Sequence, residues 1–221
     1  PLFTGYVGKG LLDTCSIGNV FEGPNVASCT EAIKLASGGA GVVLLYGNYG
    51  GDRMNFDMAA EMLELDDIET RTVLGTDDIA SASPDERHKR RGVAGIVYAY
   101  KMAGACAEAG ADLSEVARVA QKAVDATRTI GVALSPCHVP GADKPTFTIG
   151  DDEIEMGIGI HGEPGIWRDS MRSADALAQE MIDRLLADLP AEGGSKVSIL
   201  VNSLGATPLE ELFILYRKAS S

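Results

Sequence analysis

From Glu153 to Ile160 the chain alternates without a break, with Ile154, Met156, Ile158 and Ile160 on one side and Glu153, Glu155, Gly157 and Gly159 on the other. A period of two predicts a half-buried strand whose apolar face turns to a core. Continuing the alternation puts His161 on the glycine side, where Gly157 and Gly159 leave space beside the imidazole. Gly162-Glu163-Pro164-Gly165 then predicts a turn that holds the histidine at the mouth of the strand. The uninterrupted apolar run 41–46 predicts a strand buried on both faces of a parallel sheet. With the amphipathic segment 54–65 and the strand pattern 68–74 it makes a β-α-β unit.

The remaining patterns are mostly helical. Helices are predicted over 27–36, 92–109, 112–126 and 173–189, and a last one opens after Thr207-Pro208, with Thr207 as cap and Glu210 completing a capping box. Segment 92–109 is rich in Gly and Ala, which predicts that a neighbour approaches it closely. A hairpin is expected over 146–160 and a strand over 197–201. The fold class is therefore α/β, with mixed or mostly parallel sheets flanked by helices in two α/β lobes. The first covers 1–135, the second covers 146–221 and carries His161, and the Pro/Gly-rich stretch 136–145 links them.

Composition narrows the function classes. The 221 residues are 45% hydrophobic, enough for a sizeable core. A net charge of −13 opposes contact with nucleic acid or anionic membranes, and the one basic cluster, Arg87 to Arg91, lacks interleaved aromatics and reads as a solvated loop. No apolar run is long enough to span a bilayer, and no signal peptide opens the chain. Cys15, Cys29, Cys106 and Cys137 are widely spaced without a C-x-x-C pair, which reads as reduced thiols in a cytoplasm.

Among three histidines, His88 and His138 fall in loops, and His161 alone sits in a constrained setting. The competing reading makes it a hydrogen-bonded structural residue at a strand end. Ligands of parallel α/β sheets bind outside the carboxyl ends of the strands, where the turn Gly47 to Asp52 falls. There Asp52 supplies a carboxylate that can orient or deprotonate a hydroxyl, or one that merely caps the next helix. Neither a G-x-x-x-x-G-K-[ST] nor a G-x-G-x-x-G motif is present. The pairs Asp77-Asp78 and Asp151-Asp152 read as solvated turns, and no metal site is expected.

The motifs Gly5-Tyr6-Val7-Gly8-Lys9-Gly10, Asn48-Tyr49-Gly50-Gly51-Asp52 with Asn55-Phe56, Arg90-Arg91-Gly92-Val93-Ala94-Gly95, Gly157 to Gly165, and Val201-Asn202-Ser203-Leu204-Gly205-Ala206-Thr207 occur in order over nearly the whole chain. Together they resemble the substrate-binding K subunit or domain of the dihydroxyacetone kinase family. The resemblance implies that His161 attacks the keto carbon of a short-chain ketose and holds it as a covalent hemiaminal, while Asp52 accepts the proton of the hydroxyl to be phosphorylated. Such a tether would exclude glycerol, which has no carbonyl, and supplies positioning that a few hydrogen bonds to a small sugar cannot. An attacking imidazole must be neutral, and Glu163 is placed to orient it.

The same resemblance implies a division of labour. No nucleotide or other cofactor is bound by this chain, and a separate L subunit or domain brings ATP with magnesium, or a phosphorylated carrier with bound ADP. A homodimer in the cytoplasm is implied as well. Relatives of this kind carry a Gly-Ser-Gly-His-Glu-Pro segment where this chain opens at Pro1, and they continue past the last helix. The expectation is therefore a chain incomplete at both ends. Dihydroxyacetone-specific members usually have lysine where Gly47 stands, so a pocket with more room and less charge is expected, suited to a larger ketose such as erythrulose. The alternative is a non-catalytic relative that binds a keto compound through His161 as a sensor or regulatory partner.

Overall fold

The computed structural model describes residues 2–221. Pro1, on which the expectation of a leading segment rests, lies outside the described residues. The protein is mixed α/β with a parallel strand pair, and it divides into two compact units, one formed by 1–77, 88–127 and 139–141, the other by 78–87, 128–138 and 142–221. The chain thus passes between units several times, whereas the pattern along the sequence suggested a single linker at 136–145.

In the first unit, β1 (Val42–Gly47) and β2 (Thr70–Gly75) pair in parallel, with Gly47 opposite Gly75 at their carboxyl ends. Between them runs α2 (Gly50–Glu64), the crossover of the expected β-α-β unit, beside α1 (Val26–Ala36). Alternate residues of β1 serve opposite faces. Leu44 and Tyr46 join Cys29, Ile33, Ala59 and Leu63 in one core. Val43 and Leu45 pack on the other, built from Val73, Tyr100 and Val124 with their neighbours on α3 (Ile96–Glu108) and α4 (Leu113–Asp125). Burying both faces is what the unbroken apolar run predicted. Asp112 caps α4 by accepting the Glu115 N–H at 2.8 Å, the expected first half of a capping box. The small-residue helix does admit a close neighbour, since a Cβ on Gly104 would lie 2.3 Å from the Leu11 carbonyl oxygen.

The second unit holds an antiparallel sheet in the order β3 (Val132–Ala133), β4 (Glu153–Met156), β5 (Trp167–Ser170). Ile154 and Met156 pack with Ile130 and Leu177 of α5 (Ala174–Asp188). Arg128, whose side chain is 2% exposed, pairs with Asp188 at the end of α5 and also donates to its carbonyl, satisfying the negative end of that helix. α6 (Leu209–Ala219) packs on α5.

Several expectations are corrected. β4 stops at Met156, because Gly157 takes φ +79 and turns the chain out of the strand. The partners of β4 are β3 and β5 rather than a strand within 146–150. Residues 197–201 form no strand, and Val197 and Leu200 are exposed, as no strand among the described residues pairs with them. The cap of α6 is Pro208 and not Thr207. Asp77, Asp78 and Arg90 are buried rather than solvated. Asp77 accepts the N–H groups of Val93 and Gly95 at 3.1 Å where α3 begins, so backbone donors offset its burial.

Candidate functional site

Gly47 and Asp52 sit at the carboxyl end of β1 in the first unit, where a parallel α/β sheet offers its ligand-binding edge. Glycine is required there by backbone approach. A Cβ on Gly92 would lie 2.5 Å from the Gly75 carbonyl oxygen and 2.8 Å from the Gly47 Cα, so the chain crosses both strand ends at Gly92 with no space for a side chain there. Asn48 fastens the crossing by donating to the carbonyls of Arg90 at 2.8 Å and His88 at 3.1 Å. A side chain at Gly47 would meet the Tyr49 ring at 3.0 Å and the Gly92 carbonyl at 3.2 Å, so any longer residue there would need that ring to shift.

Helix α2 begins at Gly50, not at residue 54, with Tyr49 at its N-cap. Asp52 is therefore inside the first turn rather than at the capping position, and its negative charge is favoured by the helix N-terminus. The carboxylate lies against the backbone of Gly23, where a Cβ would come within 2.5 Å of Oδ1. Stacking of Phe56 on Tyr46, with ring centroids 4.4 Å apart, holds α2 in register on β1 and so fixes where Asp52 stands.

His161 belongs to the second unit, in the loop that follows β4. Gly162, at φ +89, closes a turn by donating to the Gly159 carbonyl at 3.0 Å, and the Gly159 N–H donates to the Glu163 carbonyl at 2.9 Å. A Cβ on Gly162 would stand 3.1 Å from the Thr146 carbonyl and 3.2 Å from the Phe147 ring, so this strap lies flush against the turn. The imidazole is half-buried, 33% exposed, because the turn and not a strand face holds it.

Glu163 grips His161 twice, accepting its backbone N–H at 3.0 Å through Oε2 and approaching Nδ1 at 3.1 Å through Oε1. Burial alone pushes the Glu163 carboxyl up, but hydrogen bonds from its own backbone N–H and from the ring and backbone of His161 outweigh that and hold it below the usual range. An ionised carboxylate only accepts, so Nδ1 must be the donor, and a neutral imidazole then carries its lone pair on Nε2. The pair can therefore present a neutral, oriented nitrogen nucleophile.

His88 and His138 are exposed, in keeping with their loop positions. Among the described residues no group of three or more His, Cys, Asp or Glu side chains is placed to hold a metal ion. No helix among them is long and apolar enough to cross a membrane. The alternation misled on Glu155, which reads as solvent-facing yet is 7% exposed. Its partner Arg168 lies on β5, whose sequence Trp-Arg-Asp-Ser shows no alternation, so no local pattern signalled the pairing.

The first unit thus carries a carboxylate at the edge of a parallel strand pair, and the second a carboxylate-oriented imidazole, in an α/β protein. The chain belongs to the Dak1 domain family, whose model matches residues 1–221. It is 46% identical over 214 residues, 97% of its length, to the dihydroxyacetone-binding subunit DhaK of a PTS-dependent dihydroxyacetone kinase of Listeria innocua, and covers 65% of that protein. Over 220 residues it is 42% identical to a D-erythrulose kinase of Mycolicibacterium smegmatis, covering 38% of it. The solved dihydroxyacetone kinase of C. freundii in complex with AMP-PNP and Mg2+ superposes with a TM-score of 0.88 at 35% identity, over 100% of this chain and 40% of that one. A dihydroxyacetone kinase operon co-activator, DhaQ, superposes at 0.90 with 33% identity, over 100% of this chain and 68% of that one. The chain thus spans 65% and 38% of the length of these two curated relatives.

Proposed function

We propose that this chain is the ketose-binding part of a dihydroxyacetone-type kinase, and that His161 holds the sugar covalently. The observation that carries this is the Glu163 carboxylate on Nδ1, which leaves Nε2 as the nucleophile. In the proposed step the Nε2 lone pair forms a bond to the keto carbon and the C=O π pair moves to oxygen, which takes up a proton. The oxygen draws its proton from solvent, and the Nδ1 proton, acidified by the new bond, passes through Glu163 back to solvent, so the product is a neutral hemiaminal with one hydroxyl on the former carbonyl carbon and Glu163 is again ionised. Fixing the sugar in this way replaces much of the entropy loss that the phosphoryl-transfer step would otherwise bear.

Asp52 is the group assigned to accept the proton of the terminal hydroxyl as it attacks phosphorus, and Gly47 lines the sugar site. Similarity to erythrulose as well as dihydroxyacetone kinases supports a ketose of three or four carbons. In this reading the nucleotide with Mg2+, or the phosphorylated carrier with ADP, arrives on a separate L component. The working unit is a cytoplasmic homodimer. The four free thiols and the lack of a membrane-crossing helix among the described residues are in keeping with that location.

Carbon-13 NMR of carbonyl-labelled dihydroxyacetone and erythrulose tests the tether. Mixed with the full-length protein, the preferred sugar is expected to lose its carbonyl resonance to a tetrahedral-carbon position, and His161→Ala to abolish the change. A carbonyl that stays put with the parent protein rejects the hemiaminal. Likeness to a co-activator favours one other reading, a ketose-binding regulator. Sugar binding without turnover, when a competent L component and its phosphoryl donor are supplied, would select it.

A further inference from the structure

The loop that presents His161 is fastened at its base by a second carboxylate that the proposed chemistry does not use. Glu155 is buried in the middle of β4, and both of its oxygens are engaged. Oε1 accepts the Gly165 N–H at 2.7 Å, and Oε2 accepts from Arg168 Nε at 3.0 Å and Nη2 at 2.6 Å. Beside it the Ile166 N–H donates to the Met156 carbonyl at 2.7 Å, and the Gly157 N–H to the Gly131 carbonyl at 2.6 Å. The loop 157–165 therefore leaves the sheet and rejoins it at neighbouring points. A Cβ on Gly165 would lie 2.3 Å from the Met156 carbonyl and 3.0 Å from the Glu155 Cγ, so nothing larger than glycine can sit against this anchor.

From the anchor to the imidazole the connections are short. Two residues before Gly165 stands Glu163, whose carbonyl closes on Gly159 and whose carboxylate grips His161. A shift of Gly165 moves Glu163 relative to the turn that carries the histidine. A buried carboxylate is costly unless its charge is paired and hydrogen-bonded. Here that cost is met by β5 through Arg168, with the remaining oxygen directed at the loop. Hydrogen bonds of this supporting kind orient a functional group and set its tautomer without touching the ligand.

We propose that Glu155 is a positioning residue for His161, fixing the end of the loop so that Glu163 keeps the imidazole in its Nδ1–H form with Nε2 directed for attack. Its consequence for sugar binding rests on the hemiaminal reading, whereas its effect on the imidazole does not.

The experiment is nitrogen-15 NMR of histidine-labelled full-length protein near neutral pH, with the His161 signals assigned by their loss in His161→Ala. The parent is expected to show a protonated Nδ1 and a lone-pair Nε2. Glu155→Ala should mix the tautomers and lower the hemiaminal fraction roughly tenfold to a hundredfold, the scale of loss when a reacting group is displaced by about 1 Å. Glu155→Gln, which still offers an acceptor to Gly165, should recover most of the tautomer bias. Arg168→Gln removes the other half of the anchor, should act in the same direction, and decides the matter if Glu155→Ala does not fold. Parent-like tautomers in Arg168→Gln and in every folded Glu155 variant would overturn the proposal. If the parent forms no hemiaminal with either sugar, the functional reading fails, and the tautomer comparison still decides the role of Glu155.

Discussion

At the scale of single residues, ionisation and glycine placement decide what His161 can do. Its imidazole is presented by a turn that only glycine allows at position 162 and is oriented by Glu163, whose carboxyl is held below its ordinary range. A depressed folded-state value means that the charged tether stabilises the protein fully above the ordinary glutamate range, and that this contribution is lost as pH falls through the folded value. Urea unfolding should therefore show the parent more stable than Glu163→Gln at neutral pH, the two midpoints converging as the pH drops below about 4.5. A gap that persists in strong acid would show that the carboxylate charge is not what holds the turn. Gly47 works by another route, because what it excludes is a side chain against the Tyr49 ring and not a charge of its own.

The elements act by aiming these residues. Helix α2 begins where β1 ends, so Asp52 lies in a first turn whose unpaired N–H groups favour a negative charge, and aromatic stacking sets the helix at a fixed register on the strand. Behind the sheet, α4 depends on its cap. Asp112→Ala removes the acceptor of the Glu115 N–H and is expected to cost about 1 kcal/mol in chemical denaturation, with ketose binding unchanged. A much larger loss, or a loss of binding, would mean that Asp112 does more than start the helix. In the second unit β4 owes its shortness to Gly157, whose left-handed backbone frees the following residues to form the loop that carries His161.

For the whole molecule, net charge and the proposed division of chemistry set the expectations. A net charge of −13 is unsuited to phosphate-rich polymers. Among the described residues there is also no acid or histidine cluster able to hold a metal ion. On the proposed division of labour, the isolated protein is expected to bind ketose without nucleotide and to show no ATP hydrolysis above background. Phosphorylation of the sugar should begin only when the nucleotide-bearing component is added, which a coupled assay of ADP release with and without that component measures. Hydrolysis by the protein alone would contradict the assignment of the two substrates to separate parts.

The apolar run of β1, the crossover helix and the second strand were legible along the chain because burial on both faces leaves an unbroken apolar pattern that tertiary context cannot disguise. His161 and Asp52 stood out for a similar reason, being the chemically versatile residues in glycine-rich settings at the ends of apolar stretches. Where β4 would stop was not legible, since alternation continues to Ile160 while the backbone turns at Gly157. Nor could the burial of Asp77, Arg90 and Glu155 be read locally, because the groups that satisfy Asp77 and Glu155 come from segments distant in sequence. Local periodicity determined β1, β2 and the helices that flank them, and singled out His161 and Asp52 as candidates. Tertiary structure alone decided which charges are buried, what each of them holds, and which nitrogen of His161 is left to react.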